Sequence, residues 1–136
     1  MKHIEVVAAI LHRKTERGDT LYLATQRGYG DYKGLWEFPG GKVEPGETNQ
    51  QALARELREE LTIDVHVQDF LCTVEQDYPG RHVTMHCFFC EITAGTLTLL
   101  EHESARWLSM ESLRTVNWLP ADITVVEHIE KAAKTF

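Results

Sequence analysis

Apolar and polar residues repeat with two periods along the chain, and these periods predict a sheet accompanied by helices. A continuous apolar run predicts a buried strand at residues 4–12, and an alternating pattern predicts a second strand at residues 20–27. Further strands are predicted at residues 36–38, 64–75, 82–93, 97–100 and 105–108. The turn Tyr78-Pro79-Gly80 lies between the strands at 64–75 and 82–93, so we expect that pair to be antiparallel.

Helical periodicity follows the third of these strands and returns at the end of the chain. Apolar residues at every fourth position predict a buried helical stripe formed by Leu53, Leu57 and Leu61. Thr48 and Gln51 have the spacing of a capping box, which predicts the start of this helix. A short helical turn is predicted at residues 109–113, and Pro120 begins a last helix at residues 120–133. This order predicts an α+β protein with a mixed β-sheet between helices.

The polar side of the first helix breaks two local rules. Glu56, Glu59 and Glu60 stand at i, i+3 and i+4, so three like charges crowd one patch of helix surface. They lie toward the C-terminal end, where the helix dipole disfavours anions. Arg55 and Arg58 are nearby, and we expect them to project at other angles. A hard divalent cation would cancel the repulsion, because Mg²⁺ prefers carboxylate oxygens. The alternative is a solvated acidic helix face.

The length, the net charge and the apolar runs of the chain limit the classes of protein to which it could belong. The 136 residues suit a single domain at residues 1–136. A net charge of −7 argues against a polymeric nucleic-acid partner, but it allows a small phosphate ligand that carries its own metal ion. Glu5 interrupts the first apolar run, so we expect no secretion signal there, and no run is long enough to span a membrane. We therefore expect a cytoplasmic protein with no membrane partner.

The cysteines do not indicate a redox or zinc site. Cys72, Cys87 and Cys90 are an odd number, which does not suit a disulfide framework. Cys87 and Cys90 have odd spacing within a predicted strand, so their side chains should point to opposite faces of the sheet. We interpret the cysteines as small apolar residues that fill the core.

A longer spaced motif contains the acidic helix. From Gly41 the chain reads G-x5-E-x7-R-E-L-x-E-E-x-T-I, which resembles the Nudix box. The departure is Thr62, where the family usually has glycine just past the helix. Threonine at that position would be strained at positive φ, or the turn is of another type. The resemblance implies the Nudix fold, an α/β/α sandwich. It also implies hydrolysis of a nucleoside diphosphate linked to another moiety, with a divalent metal ion.

The resemblance also implies roles for residues of the motif. Expected metal ligands are the carbonyl of Gly40 and the carboxylates of Glu56 and Glu60, with Glu59 beside them for a second ion. Glu56 is the first candidate for the general base and Glu59 the second. Arg55 is expected to orient Glu47 or Glu56, and Lys42 to neutralise phosphate. An additional acid is expected outside the motif, with Glu101 as the candidate and Glu103 as its competitor.

Within the family, the chain is similar to the MutT branch, and especially to its bacterial CTP pyrophosphohydrolases. The segments G-L-W-E-F-P-G-G-K-V-E, Y-P-G-R-H-V-T and L-P-A-D-I carry this similarity. It implies that Ile4 and Val6 form the floor of a base pocket. The remaining substrate-binding residues that it implies are Arg27, Trp36, Glu37, Phe38, Gly41, Tyr78, Arg81, Val83 and Asp122.

Asp122 carries the substrate hypothesis. An ionised carboxylate offers only acceptors, which suits the N4 amino group of cytosine. A protonated Asp122 would instead suit an oxidised purine such as 8-oxoguanine, because burial raises the pKa of a carboxyl group. A third interpretation is that Asp122 has only a structural role: it lies in the first turn of a helix, where the helix dipole stabilises a negative charge.

The leading hypothesis is therefore an enzyme that converts a nucleoside triphosphate to the monophosphate and pyrophosphate. It would use Mg²⁺, or alternatively Mn²⁺, and act on CTP, dCTP or modified cytosine nucleotides. The alternatives are a MutT-type enzyme that hydrolyses 8-oxo-dGTP and a non-hydrolytic nucleotide-binding module, against which the intact set of glutamates argues. The expected partner is a small nucleotide, and the expected state is a monomer or weak homodimer.

Overall fold

A computed structural model describes residues 1–134 and shows one mixed sheet with helices on both faces. The predicted α+β architecture is confirmed. Residues 135 and 136, which the predicted domain includes, lie outside the described residues. The elements in chain order are β1 (Lys2–Lys14), β2 (Thr20–Arg27), β3 (Trp36–Glu37), β4 (Gly40–Lys42), α1 (Asn49–Leu61), β5 (Ile63–Tyr78), β6 (Arg81–Gly95), β7 (His102–Leu108), a 3₁₀ helix (Met110–Thr115) and α2 (Pro120–Lys134).

The sheet is built around β1. Its strand order is β3-β2-β1-β6-β5, with β4 paired to β1 and β7 paired to β2. The pair β1/β6 is parallel, whereas β5/β6 is antiparallel, as the turn at Tyr78-Pro79-Gly80 predicts. A continuous apolar strand suits this central position, because both faces of the sheet are covered there.

Alternate residues of β1 belong to two separate cores. Val7, Ala9 and Leu11 pack in the core that contains the leucine stripe of α1. Ala8 and Ile10 pack in the opposite core, which contains the apolar side of α2. Period-two alternation therefore divides the protein into three layers, and the apolar side of each helix covers one face of the sheet.

Helix α1 has the predicted capping box and an unusual C-terminal residue. The Thr48 hydroxyl accepts a hydrogen bond from the Gln51 backbone N–H, and the Gln51 side chain accepts one from the Thr48 N–H. Thr62 follows the helix with φ of 57°, in the left-handed region that favours glycine. Its hydroxyl donates to the carbonyl of Thr96, a contact that glycine cannot make.

Two strand predictions are corrected. Residues 97–100 are not a strand: the N–H groups of Thr98 and Leu100 donate to the carbonyl oxygens of Leu61 and Glu60. They thus satisfy carbonyls that the end of a helix leaves open. Residues 40–42 form a strand instead of only a loop, because Gly40 and Gly41 pair directly with β1. Strands β5 and β6 are longer at both ends than their sequence patterns predict.

The cysteines are buried, reduced and distributed as expected. Cys87 belongs to the core on the α2 side, and Cys90 belongs to the core on the α1 side. The two side chains therefore point to opposite faces of β6, as their odd spacing predicts.

Candidate active site

A cleft of about 410 Å³ runs between the first half of β1, the β3–β4 segment and the start of α2. One end contains Gly40, Gly41 and Lys42 and is called here the acidic end, because the glutamates of α1 lie beside those residues. The other contains Phe38, Tyr78 and Asp122 and is called the base end. The remaining lining residues are Ile4, Val6, Val7, Ala8, Arg27, Tyr29, Tyr32, Glu37, Arg81, Val83, Met85, Leu119 and Ala121.

The acidic end depends on close packing of glycines against β1 and α1. A Cβ atom on Gly40 would lie 1.9 Å from the Val7 carbonyl oxygen, so that position admits only glycine. A Cβ atom on Gly41 would lie 2.4 Å from Cδ of Glu56. The Glu56 carboxylate therefore sits directly against the β4 backbone. The side chain of Glu56 is only 14% exposed, although it carries a charge.

Three carboxyl groups converge at this end. The Glu60 side chain contacts those of Glu56 and Glu101, and burial, followed by the charge of Glu56, raises the pKa of Glu60 to about 9. Glu101 reaches this position because the preceding loop is tied to the end of α1. Gly28 allows the approach, since a Cβ there would lie 2.9 Å from the Glu101 carbonyl oxygen. The structure thus brings Glu101 to the cluster through its contact with Glu60, although Glu101 and Glu103 are both exposed residues.

Arg55 is the centre of the ion pairs on α1. Its Nε donates to Glu47 Oε2 at 2.7 Å, and its Nη1 donates to Glu56 Oε1 at 3.0 Å. The same Nη1 donates to Glu59 Oε2 at 3.2 Å, and Nη2 donates to the carbonyl of Lys42. The expectation that Arg55 projects away from the glutamates is therefore wrong, because its long side chain bends back over them.

The Arg55 contacts shift pKa values in opposite directions. The hydrogen bond from Arg55 holds the pKa of Glu47 below its usual range, and the Glu47 carboxylate in turn raises the pKa of Arg55. Arg58 does project away, and it pairs with Asp64. Glu59 remains 61% exposed and accepts a hydrogen bond from Arg55.

The chemistry of this cluster fits a divalent cation. In residues 1–134, no three His, Cys, Asp or Glu side chains already stand as a complete ligand set. The carboxyl groups of Glu56, Glu60 and Glu101 are nevertheless in contact, and burial, followed by the charge of Glu56, raises the pKa of Glu60. A divalent cation would favour the ionised form of Glu60, since it neutralises several carboxylates at once. The oxygens available as ligands are therefore those of these three carboxyl groups.

The base end is organised by Asp122 on the first turn of α2. Its Oδ1 accepts a hydrogen bond from the Phe38 backbone N–H at 2.9 Å, and the residue is 3% exposed. Burial raises the pKa of Asp122 well above its usual value, and the nearby charge of Glu37 acts in the same direction. Phe38 stacks on Trp118 with ring centroids 4.5 Å apart. One carboxyl oxygen is thus committed to the protein, and the residue lines the cleft.

Aromatic residues flank the opening at this end. Tyr32 meets Tyr78 edge-on with centroids 5.4 Å apart, and the guanidinium of Arg81 lies 5.4 Å from the Tyr78 ring. The Tyr78 hydroxyl accepts a hydrogen bond from the Ala121 N–H, which fixes it against α2. Tyr29 and Tyr32 also line the cleft but are not among the predicted substrate residues; both lie in the segment G-Y-G-D-Y-K-G at residues 28–34, to which no role is assigned from the sequence. The two tyrosines within that glycine-rich segment were the available signal.

Most of the predicted substrate residues line the cleft, and one does not. Arg27 and Glu37 form an ion pair at 3.0 Å within it, and Val83 lies on its wall. The structure places Trp36 elsewhere: it is 6% exposed, packs in the α2-side core and has Arg106 over its ring. Its position in the segment G-L-W-E-F-P-G-G-K-V-E explains the prediction, but its side chain points to the other side of a short strand from Glu37.

The family of the chain follows from its sequence and fold together. Residues 1–129 match the NUDIX domain. The chain therefore belongs to the Nudix hydrolase family, whose members generally use a divalent metal ion and act on small nucleotide substrates. The fold is the Nudix fold.

Several relatives are similar over most of the chain. CTP pyrophosphohydrolase of Escherichia coli (strain K12) is 42% identical over 127 residues, which cover 93% of this chain and 91% of that protein. An 8-oxo-dGTP diphosphatase of Proteus vulgaris is 39% identical over 64% of this chain and 75% of that protein. The solution structure of the E. coli ORF135 protein superposes with a TM-score of 0.81 at 40% identity, covering 98% of this chain and 92% of that one.

A more distant structure supports the fold alone. The MutT NUDIX hydrolase from Burkholderia pseudomallei has a TM-score of 0.83 at 23% identity, covering 95% of this chain and 99% of that one. Across residues 1–134, no helix is both long and apolar enough to cross a membrane.

Proposed function

We propose that this protein is a Mg²⁺-dependent nucleoside triphosphate pyrophosphohydrolase that releases the nucleoside monophosphate and pyrophosphate. Its preferred substrates are CTP, dCTP or modified cytosine nucleotides. The observation that carries the proposal is one continuous cleft with a carboxylate cluster beside one end and a buried, hydrogen-bonding carboxyl group at the other. Such a cleft accommodates the phosphate chain and the base of one nucleotide together.

At the acidic end, the residues divide into ligands, a base and neutralising groups. Glu56, Glu60, Glu101 and the carbonyl of Gly40 would hold the metal ion, with Glu59 as a ligand for a second one. When bound, Mg²⁺ neutralises phosphoryl oxygens and makes water more acidic. Glu56 is our first candidate for the general base, because its carboxylate is the least exposed glutamate side chain that Arg55 contacts. Glu59 is the second.

Two basic residues support that arrangement. Arg55 holds Glu47, Glu56 and Glu59 by hydrogen bonds, so it restricts the rotamers of the acids that would act. Lys42 lines the cleft, and its carbonyl accepts a hydrogen bond from Arg55, so its ammonium group would be available to phosphates at the acidic end. Both residues reduce the repulsion between the acidic cluster and an anionic substrate.

At the base end, Asp122 selects the base. Oδ1 is occupied by the Phe38 N–H, so Oδ2 is the atom that can face a ligand. An ionised Oδ2 accepts from the N4 amino group of cytosine. Phe38, Tyr78 and Val83 would contact the faces of the ring, with Arg81 above Tyr78. The 42% identity to a CTP pyrophosphohydrolase supports the cytosine reading.

A second candidate substrate is favoured by one specific observation. Burial raises the pKa of Asp122, and a protonated Oδ2 is a donor as well as an acceptor. That form suits the carbonyl edge of an oxidised purine such as 8-oxoguanine. The 39% identity to an 8-oxo-dGTP diphosphatase supports the same reading. The cytosine and 8-oxoguanine hypotheses therefore differ in whether Oδ2 of Asp122 carries a proton.

A panel of nucleotides tests the proposal. The purified protein is incubated with CTP, dCTP, 5-methyl-dCTP, ATP, GTP, UTP and 8-oxo-dGTP, with Mg²⁺, with Mn²⁺ and with excess EDTA. We expect pyrophosphate and monophosphate as products, the highest kcat/KM with a cytosine nucleotide, and no turnover in EDTA. Release of orthophosphate and a diphosphate would contradict the proposed bond cleavage. Turnover that persists in EDTA would contradict the role of the acidic end.

The proposed solution state is a monomer or weak homodimer. The large apolar side chains that are exposed in residues 1–134 include Tyr29, Phe70, Ile123 and the adjacent Leu99 and Leu100, which lie in four different segments of the chain. Sedimentation velocity over a range of protein concentrations would test this, and a single dimeric species at nanomolar concentration would contradict it.

A further inference from the structure

The Arg27–Glu37 ion pair in the cleft has a third member, His102, which does not line the cleft. Glu37 Oε1 accepts from Arg27 Nη1 at 3.0 Å, and Glu37 Oε2 lies 3.2 Å from His102 Nε2. Both oxygens of one carboxylate are therefore in use. The backbone of the same residue is fixed as well, because the Thr25 hydroxyl donates to the Glu37 carbonyl.

The three side chains become more buried with distance from the cleft. Arg27 is 28% exposed, Glu37 is 20% exposed and His102 is 6% exposed. His102 thus supports the pair from behind, where neither solvent nor ligand reaches it. Arg27 faces the cleft, with its guanidinium 5.7 Å from the ring of Tyr29.

The hydrogen bonds of His102 specify its tautomer. Nδ1 of His102 is buried and has no hydrogen-bond partner within residues 1–134. A proton on Nδ1 would therefore be a buried donor without an acceptor, whereas a proton on Nε2 is donated to Glu37. The tautomer with the proton on Nε2 is the one that satisfies the carboxylate.

A bulge in the sheet gives His102 this position. The β2/β7 pairing changes register at Arg27, so that Arg27 is opposite His102 while Gln26 is opposite Ser104. Glu101 directly precedes β7, and His102 is its first residue. Glu101 contacts Glu60 at the acidic end, and His102 contacts Glu37 within the cleft wall.

We propose that His102 is a positioning residue: by holding Glu37 it fixes Arg27 in the orientation that receives the nucleotide. This rests on the proposed function, and it adds a residue behind the cleft to those that line it. Its contribution is to ligand affinity, so its loss raises KM and leaves kcat within about twofold. Arg27 Nε is buried without a partner in the described part of the chain, so the protein alone does not satisfy this guanidinium.

Two conservative variants separate positioning from mere packing. In His102→Gln, the amide nitrogen takes the place of Nε2 and can still donate to Glu37. In His102→Asn, the shorter side chain places its amide near Nδ1, out of reach of that carboxylate. Binding of the α,β-methylene analogue of CTP is measured by calorimetry, and KM and kcat are measured with CTP. We expect His102→Asn to weaken binding roughly tenfold and His102→Gln to retain most of the affinity.

A double-mutant cycle tests whether His102 acts through Arg27. In an Arg27→Gln background, the change from His102 to Asn should alter the Kd of the analogue by less than about twofold, because the group being positioned is absent. His66→Gln, an exposed histidine of β5, is the matched control and should bind as the wild type does. Equal affinities for the Gln and Asn variants, or independent effects of positions 27 and 102, would overturn the proposal.

A measurement without nucleotide keeps this inference separate from the proposed function. Nitrogen-15 spectra of the imidazole rings at neutral pH report which ring nitrogen carries the proton. We expect His102 to be protonated on Nε2, and we expect its signals to move in Glu37→Gln. A proton on Nδ1 would refute the inference even if CTP is hydrolysed. Failure of the wild type to bind any nucleotide, with the Nε2–H tautomer intact, would refute the proposed function instead.

Discussion

At the acidic end of the cleft, α1 contributes Glu56, Glu59 and Glu60 from little more than one turn of helix. At the base end, Asp122 on α2 meets the backbone of Phe38 from 84 positions away. The first group is close together because of helix geometry alone, and the second only because the whole fold is formed. The acidic end therefore contains a sequence signature, whereas the base end depends on tertiary packing.

Burial is the largest cause of the raised pKa at both ends, but the second contribution differs. The charge of Glu56 and the contact with Glu101 also raise the pKa of Glu60, so a cation would offset this part of the effect. Asp122 is only 3% exposed, and burial is the main cause of its raised pKa. A metal ion should therefore change the ionisation of the acidic end and leave the base end nearly unchanged. The following predictions test this division, beginning with the largest expected effect.

Glu56→Gln should have the largest effect on turnover. The amide keeps an oxygen that can accept from Arg55, so the fold should be retained, but it cannot act as a base or as an anionic ligand. We expect kcat to fall by roughly 10³-fold, within the range attributed to general base catalysis. Glu59→Gln should lose less, since that side chain is 61% exposed. Thermal melts serve as the control, and near-wild-type turnover by Glu56→Gln would remove this residue from the site.

The same difference between the acidic end and the base end determines which parts of the site could be predicted from the sequence. The cluster of glutamates, the capping box and the glycines could be predicted from the sequence, because each is formed by residues that are close together in the chain. The sequence left both Glu101 and Glu103 as candidates for the additional acid. The choice of Glu101 depends on hydrogen bonds between the preceding loop and the end of α1, which the sequence does not reveal. A strand is predicted at residues 97–100, but the N–H groups of Thr98 and Leu100 donate to carbonyls at the end of α1 instead. The support of Glu37 by His102 had no local signal.

Two neighbouring glycines offer a way to disturb the fold and the acidic end separately. Gly40→Ala would place Cβ 1.9 Å from a backbone oxygen of β1, which cannot move alone, so it should destabilise the protein by about 3 kcal/mol. In Gly41→Ala, the atoms nearest to the new Cβ belong to the end of the Glu56 side chain, which can rotate away. It should keep stability and lower kcat by about 10- to 100-fold. Chemical denaturation and CTP turnover measure the two effects, and similar stability losses in both variants would contradict this separation.

Asp122→Asn should change substrate preference without removing turnover. Asparagine can still accept from the Phe38 N–H, so the local structure should be retained. It offers an amide donor in place of the second carboxyl oxygen, and this should lower the kcat/KM ratio of CTP to 8-oxo-dGTP by about tenfold. Competition between the two nucleotides measures the ratio directly. An unchanged ratio would discard the role of Asp122 in base selection.

The same variant tests whether the base end holds a proton. The pKa of Asp122 is raised in the folded protein above its usual value of 3.8, so the folded state binds more protons than the unfolded state. Its contribution to stability is therefore complete below the unfolded pKa and is lost as pH rises through the folded pKa. Between those values, wild type should lose up to about 1.4 kcal/mol per pH unit relative to Asp122→Asn.

Other groups near Asp122 do not disturb this comparison. Glu37, Arg27, Tyr78 and Cys87 are the charged or titratable neighbours, and both variants retain them. Urea denaturation at pH 4 to 7 gives the difference in unfolding free energy at each pH. A difference that stays constant over this range would show that Asp122 ionises in the folded state as readily as in the unfolded chain.

The smallest effect is expected at Thr62, which joins α1 to β5 and so supports the acidic end from outside it. A threonine at φ of 57° costs about 1 kcal/mol relative to glycine, but its hydroxyl donates to Thr96 over 2.7 Å, a bond worth a similar amount. Thr62→Gly removes both and should change the unfolding free energy by less than about 0.5 kcal/mol. Thr62→Val keeps the strain and loses the bond, so it should be less stable than Thr62→Gly by about 1 kcal/mol. If the valine variant proved as stable as the glycine variant, the hydrogen bond to Thr96 would not be what permits threonine at the position where the family usually has glycine.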